Sequence, residues 1–176
     1  MDVRRLLLLA LLTALGCAPS GPRTDAIDPS ALPSHGRFTA LIFYAKHCNC
    51  LDAHEGRIGE MYGRFHERGV TFLFVDSEVG ADQAEDDAAT RGRFPFPVWI
   101  DHGAKLANEL GAEYATYSVI VDEGGRVRYR GGIDSDKTHL HDDATPYLAD
   151  ALDDLLAGRP VRSSSNEGLG CALRKW

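Results

Sequence analysis

The 176-residue chain has no internal repeat, no basic stripe and no apolar run long enough to span a bilayer. Without a repeat it cannot be a solenoid or a propeller. Its Lys and Arg are scattered within a net charge of −7, which removes nucleic acid as an expected partner. Its longest apolar run, from Leu6 to Leu15, is about half of the roughly 20 residues that a membrane helix requires. Cysteine is also scarce, with four residues in all: Cys17, Cys48, Cys50 and Cys171.

What surrounds that short apolar run is informative. Arg4 and Arg5 precede it and Gly16-Cys17 follows, which is the layout of a secretory signal peptide over residues 1–16. The segment Thr13-Ala14-Leu15-Gly16-Cys17 resembles the bacterial lipobox, and this resemblance implies lipidation of Cys17. Several acyl chains on one residue anchor stably where a single chain does not. By resemblance to lipoproteins of double-membraned bacteria, Ala18 implies an exported protein on the outer membrane, facing the periplasm. The alternative is an ordinary signal peptide cut nearby that leaves Cys17 as a thiol. Residues 17–33, rich in Pro, Ser, Gly and Asp without apolar periodicity, read as a lipidated N-terminus and flexible tether. Residues 34–158 suit a single domain with a sizeable core, and residues 159–176 form a C-terminal tail that carries Cys171.

Within the domain, the runs Thr39–Tyr44, Thr71–Val75 and Val98–Ile100 are short, apolar and continuous, as expected of buried parallel strands. Ser118–Val121 and Val127–Tyr129 flank Asp122-Glu123-Gly124-Gly125, a turn signal that makes them an antiparallel hairpin. Helical patterns lie between the strands: Leu51–Arg68, stopped by Gly69, then Ala81–Arg91, Ala104–Leu110 and Pro146–Leu156. Alternation of this kind predicts an α/β fold. Its central, mostly parallel sheet ends in an antiparallel C-terminal hairpin and carries helices on both faces.

Lys46-His47-Cys48-Asn49-Cys50 falls where the first strand meets the first helix. Orphan N–H groups at a helix start favour a thiolate there, so Cys48 is the expected nucleophile, with His47 and Lys46 adding donors or positive charge. Cys50 is close enough to resolve a mixed disulfide. With Cys17 acylated, the three other cysteines are an odd set for an oxidising compartment, and a purely structural framework of disulfides is not expected. Cys171 is either a mobile resolving thiol or one end of a permanent disulfide that straps down the tail.

Phe38 to Asp134 resembles the redoxin (AhpC/TSA-like) branch of the thioredoxin-like superfamily. The resemblance rests on TALIFY followed by the cysteine, on Arg68-Gly69-Val70-Thr71-Phe72 and on Phe94-Pro95-Phe96-Pro97-Val98 leading into Asp101. Leu110-Gly111-Ala112 and the hairpin SVIVDEGGRVRYRGGID extend it. It implies a thioredoxin-like fold and an extracytoplasmic thiol-disulfide oxidoreductase that uses the Cys-x-Cys site, needs no cofactor and acts on periplasmic protein thiols or disulfides.

Two positions depart from the family. Ala45 stands where peroxiredoxins place a Thr or Ser that orients peroxide, which weakens the thiol peroxidase alternative. Thr116 occupies the place of the thioredoxin cis-proline, is expected to be trans, and would bring a hydroxyl beside Cys48. A second alternative is a periplasmic copper-binding or delivery module. It would ligate metal through Cys48, Cys50 and His47 or His54, with His139 or His141 as a distant ligand by resemblance to copper chaperones of this fold. Glu78, after the second strand, is a candidate proton acceptor.

Overall fold

The computed structural model describes residues 23–175; the expected signal peptide and the lipidation site Cys17 lie outside the described residues. Five strands form one sheet: β1 (Phe38–Tyr44), β2 (Val70–Asp76), β3 (Val98–Ile100), β4 (Ser118–Asp122) and β5 (Val127–Gly131). Their spatial order is β3-β2-β1-β4-β5. β1 runs parallel to β2 and β2 to β3, while β4 lies antiparallel to both β1 and β5. All seven residues of β1 are buried. The central strand is therefore covered on both faces, which is why its sequence is apolar throughout instead of alternating. No helix among the described residues is long and apolar enough to cross a membrane.

The helices are α1 (Asn49–Ala53), α2 (Glu55–Phe65), α3 (Gln83–Thr90), α4 (Lys105–Leu110) and α5 (Tyr147–Leu156). The helix expected as one piece from Leu51 to Arg68 is broken at His54, where α1 gives way to α2, and ends in a 3-10 turn over His66–Arg68. Spacing alone could not show this break, because the apolar residues Ile58, Met61 and Phe65 all lie after it.

One side of the core is aromatic. Phe72 and Phe74, two residues apart on β2 and hence on one face, meet Phe96 at ring distances of 5.7 and 4.7 Å, and Phe94 stands 4.8 Å from Phe74. Tyr62 of α2 closes the cluster, 5.7 Å from Phe72 and 5.6 Å from Phe96. The Phe-Pro pairs before β3 thus turn both phenyl rings inward while both prolines stay exposed.

Both ends of the described segment bind to this body. Ile27 and Leu32 are buried, and backbone bonds join Thr24 N–H to Glu109 O, Ile27 N–H to Gly125 O and Val127 N–H to Asp25 O. The expected tether is therefore no tether from Thr24 to Leu32. Two isolated apolar residues carry no periodicity, yet they find a groove to fill. The tail after α5 is a strap, fixed first at Asp154, whose carboxylate accepts from Arg159 Nη2 (2.8 Å) and from the Arg162 backbone and guanidinium (3.1 and 2.9 Å). Asn166 then bonds Gly132 N–H (2.9 Å) and the Tyr129 hydroxyl (2.9 Å).

Phe74 is fully buried and touches three other rings. Replacing Phe74 by Ala should cost about 3–5 kcal/mol of folding free energy, read from the urea midpoint. A loss below about 1 kcal/mol would show that the aromatic cluster does not organise this side of the core.

Candidate functional site

Cys48 ends the loop after β1 and is the N-terminal cap of α1, while Cys50 lies in that helix's first turn. Both are 1% exposed. The strap brings Cys171 to them. Ala115 N–H bonds Cys171 O (2.8 Å), Leu173 N–H bonds Glu113 O (3.0 Å), and the Thr116 hydroxyl donates to Leu169 O (3.0 Å). The sulfurs of Cys48, Cys50 and Cys171 all lie within 4.8 Å of one another, and Cys171 Sγ stands 3.5 Å from Cys50 Sγ. All three are free thiols, so the tail is held by hydrogen bonds and not by a disulfide.

Burial works against the acidity expected of Cys48. Burial pushes Cys48 up, and Cys50 is pushed up to about 12 by burial and by the neighbouring thiols. Cys171 is only half-buried. Burial raises its pKa too, but hydrogen bonding with the thiols of Cys48 and Cys50 and with the Cys50 backbone outweighs burial and brings it below the ordinary value. Like charges within 4.8 Å then oppose a second ionisation.

Cys48 and Cys171 line one small cleft of about 240 Å³ with Ala45, His47, Glu78, Ala172 and Arg174. His47 is exposed beside it. Lys46 is ion-paired with Glu85, so its charge is not free to serve the thiols. Glu78, the candidate proton acceptor, instead accepts from Arg174 N–H and Nε (3.2 and 3.3 Å) and pins the end of the strap. The bond after Ala115 is trans, as no described peptide bond is cis; Thr116 has φ +76°, and its hydroxyl is bonded to the tail.

His54 does not face the thiols as a ligand. Its Nδ1–H donates to Cys50 O (2.6 Å) and its Nε2–H to Asp134 Oδ1 (3.0 Å). A carbonyl and a carboxylate can only accept, so both ring nitrogens carry protons and His54 is an imidazolium. Burial alone would lower its pKa, but Asp134 and the Cys50 carbonyl outweigh burial and raise it. Arg57 binds the other oxygen of Asp134 (2.6 Å) and Asp136 (2.9 Å). His141 bonds Asp136 (2.9 Å), and neither it nor the exposed His139 joins the sulfur cluster.

Asp134 and Arg57 were not singled out in the sequence, and their only trace there is an aspartate directly after the Gly131-Gly132-Ile133 turn. Also unforeseen is a buried carboxyl pair. Burial and the neighbouring Asp86 push Asp76 up to about 7, and neither oxygen of Asp86 has a hydrogen-bond partner among the described residues.

The AhpC/TSA family model matches residues 23–130, well over half of the chain. The chain belongs to the AhpC/TSA family. Among solved structures, this AhpC/TSA chain is similar to an uncharacterized conserved protein from Geobacillus kaustophilus, at 23% identity and TM-score 0.72, covering 80% of this chain and 78% of that one. A hypothetical protein from Sinorhizobium meliloti 1021 is 18% identical with a TM-score of 0.71, covering 80% of each chain. A mutant of PrxQ from Xylella fastidiosa is 14% identical with a TM-score of 0.54, covering 78% of this chain and 96% of that one. At these identities the likeness is one of fold, and a similar solved structure of a thioredoxin-like protein, at 13% identity and TM-score 0.55 over 76% of this chain and 86% of that one, makes the fold thioredoxin-like. No curated protein matches the chain.

Two predictions follow from the geometry. A Cβ at Gly170 would overlap the carbonyl oxygen of Ala115, so Gly170→Ala should lift the strap and make Cys48 and Cys50 react with iodoacetamide at least about tenfold faster; unchanged rates would mean that the strap does not shield them. The second concerns pH. A raised Asp76 or His54 gives stability that is lost as pH rises through its folded pKa, whereas the lowered Asp134 gives stability lost as pH falls below the ordinary carboxylate range. Stability should therefore peak near pH 4 and decline as pH rises through about 7 and beyond, with the fall between about pH 4 and pH 7 reduced in Asp76→Asn. A urea midpoint that stayed level or rose over that range would refute the assignment.

Proposed function

We propose that the protein is an extracytoplasmic thiol-disulfide oxidoreductase acting on protein thiols or disulfides, with Cys171, Cys50 and Cys48 as its working thiols. The observation that carries this reading is the meeting of three free thiols beside a cleft, one of them half-buried, acidified and 3.5 Å from a buried partner. The short apolar run before Cys17, with its likeness to a lipobox, supports the extracytoplasmic and membrane-anchored parts of the proposal.

The exchange runs in two displacements. The Cys171 thiolate attacks one sulfur of a partner disulfide; a Cys171–partner bond forms, the partner's S–S bond breaks, and the departing partner thiolate takes up a proton. Cys50 then gives up its proton and attacks the Cys171 sulfur, which forms a Cys50–Cys171 disulfide and frees the second partner thiol. Two electrons have passed from the cysteine pair to the partner, and an external dithiol restores the pair by the same chemistry in reverse. Once Cys171 is engaged, it no longer holds a negative charge against Cys50, so the buried thiol loses one of the causes that raise its pKa. His47, exposed at the cleft, is placed to carry protons to solvent. A peroxidase reading has less support, because Ala45 offers no hydroxyl to orient a peroxide.

Cys50→Ser should trap a mixed disulfide on Cys171, mapped by peptide mass spectrometry, and Cys171→Ser should slow reduction of insulin disulfides at least about tenfold. Trapping on Cys48 instead would exchange the roles of the two cleft cysteines. Full activity in Cys171→Ser would remove Cys171 from the mechanism.

A further inference from the structure

The three sulfurs also make a metal donor set, and its composition is unlike the one expected from the sequence. No histidine belongs to it. Both nitrogens of His54 are engaged by Cys50 O and Asp134, His47 is exposed, and the cluster of potential ligands consists of Cys48, Cys50 and Cys171 without a fourth His, Cys, Asp or Glu among the described residues. With metal–sulfur bonds of about 2.3 Å, three sulfurs around one ion stand about 4 Å apart. The observed sulfurs lie within 4.8 Å, one edge of the triangle being 3.5 Å. A triangle of thiols spanning that distance can close around an ion with small side-chain movements.

We infer that the reduced protein binds one Cu(I) ion in a three-thiolate site formed by Cys48, Cys50 and Cys171. Thiolates are soft donors that select Cu(I), Zn(II) or iron–sulfur clusters. Zinc is four-coordinate and would here need a water as its fourth ligand, at a cluster in which two of the three donors sit on residues 1% exposed. A soft ion content with three sulfurs matches it better. Each coordinating cysteine releases its proton to solvent, and no electron moves, so copper enters and stays as Cu(I). The cleft lined by Cys48 and Cys171 supplies the entry path. Copper and disulfide exchange compete for the same sulfurs: a Cys50–Cys171 disulfide consumes two of the three donors and releases the ion.

The test titrates the full-length reduced protein anaerobically with Cu(I) against bicinchoninate as competing chelator. Expected are one ion per chain, protection of Cys48, Cys50 and Cys171 from alkylation, and affinity at least about tenfold lower in Cys171→Ser, with His47→Ala unchanged. X-ray absorption of the loaded wild type, which does not depend on any variant folding, should show three sulfur neighbours at copper. No uptake, a Cys171→Ser protein that binds as tightly as wild type, nitrogen in the copper shell, or a preference for Zn(II) over Cu(I) would each overturn the inference. Insulin reduction measured without copper separates the two readings, because a protein that exchanges disulfides but takes up no Cu(I) refutes the metal site alone.

Discussion

The site depends on a short stretch of backbone pairing between the C-terminal strap and the segment before β4. Ala115 N–H to Cys171 O and Leu173 N–H to Glu113 O hold the strap antiparallel to residues 113–115. Through these bonds a cysteine 121 residues away in sequence is set 3.5 Å from Cys50. Such pairing requires close approach of two backbones, and it is met by Gly168 and Gly170, where any side chain would collide with Tyr114 or Ala115. Thr116 adds a hydroxyl bond to Leu169, which a proline at this position could not make.

Burial sets the chemistry of the cluster once it is assembled. A sulfur at the start of a helix has backbone N–H groups available to it, which lower a thiol pKa, but Cys48 and Cys50 are covered by the strap and by the core, and desolvation wins. The third thiol is less covered, and its hydrogen bonds with the other two thiols lower its pKa. Beneath them, the His54 imidazolium, Asp134 and Arg57 form a buried ion network. Its value lies in complete pairing, because a buried charge without its partner is costly. The network ties the broken helix α1–α2 to the loop after β5 and fixes the carbonyl of Cys50.

The fold was legible because its signals are local. Continuous apolar runs at Phe38–Tyr44 and Val70–Asp76, a Gly-rich turn between β4 and β5, and helical spacing between strands are read within a window of ten or so residues, and the sheet order follows from connection rules. The Cys-x-Cys segment at the strand-to-helix junction was legible for the same reason. The break at His54 was not, and the partner its ring bonds, Asp134, lies 80 residues away, outside any local window. The binding of Thr24–Leu32 to the domain escaped notice because isolated apolar residues leave no periodic trace.

By itself, then, the sequence determined an AhpC/TSA-type α/β domain, the placing of Cys48 and Cys50 where β1 meets a helix, and an odd number of thiols beyond Cys17. Only the tertiary structure decided that Cys171 completes the cluster, that Cys48 and Cys50 are buried, and that His54 bonds Asp134 and not the thiols. The reason is physical: strand and helix propensity depend on neighbours along the chain, whereas a thiol's acidity and a metal site's donors depend on burial and on which groups lie within a few ångströms in space, and these are fixed only when distant segments pack.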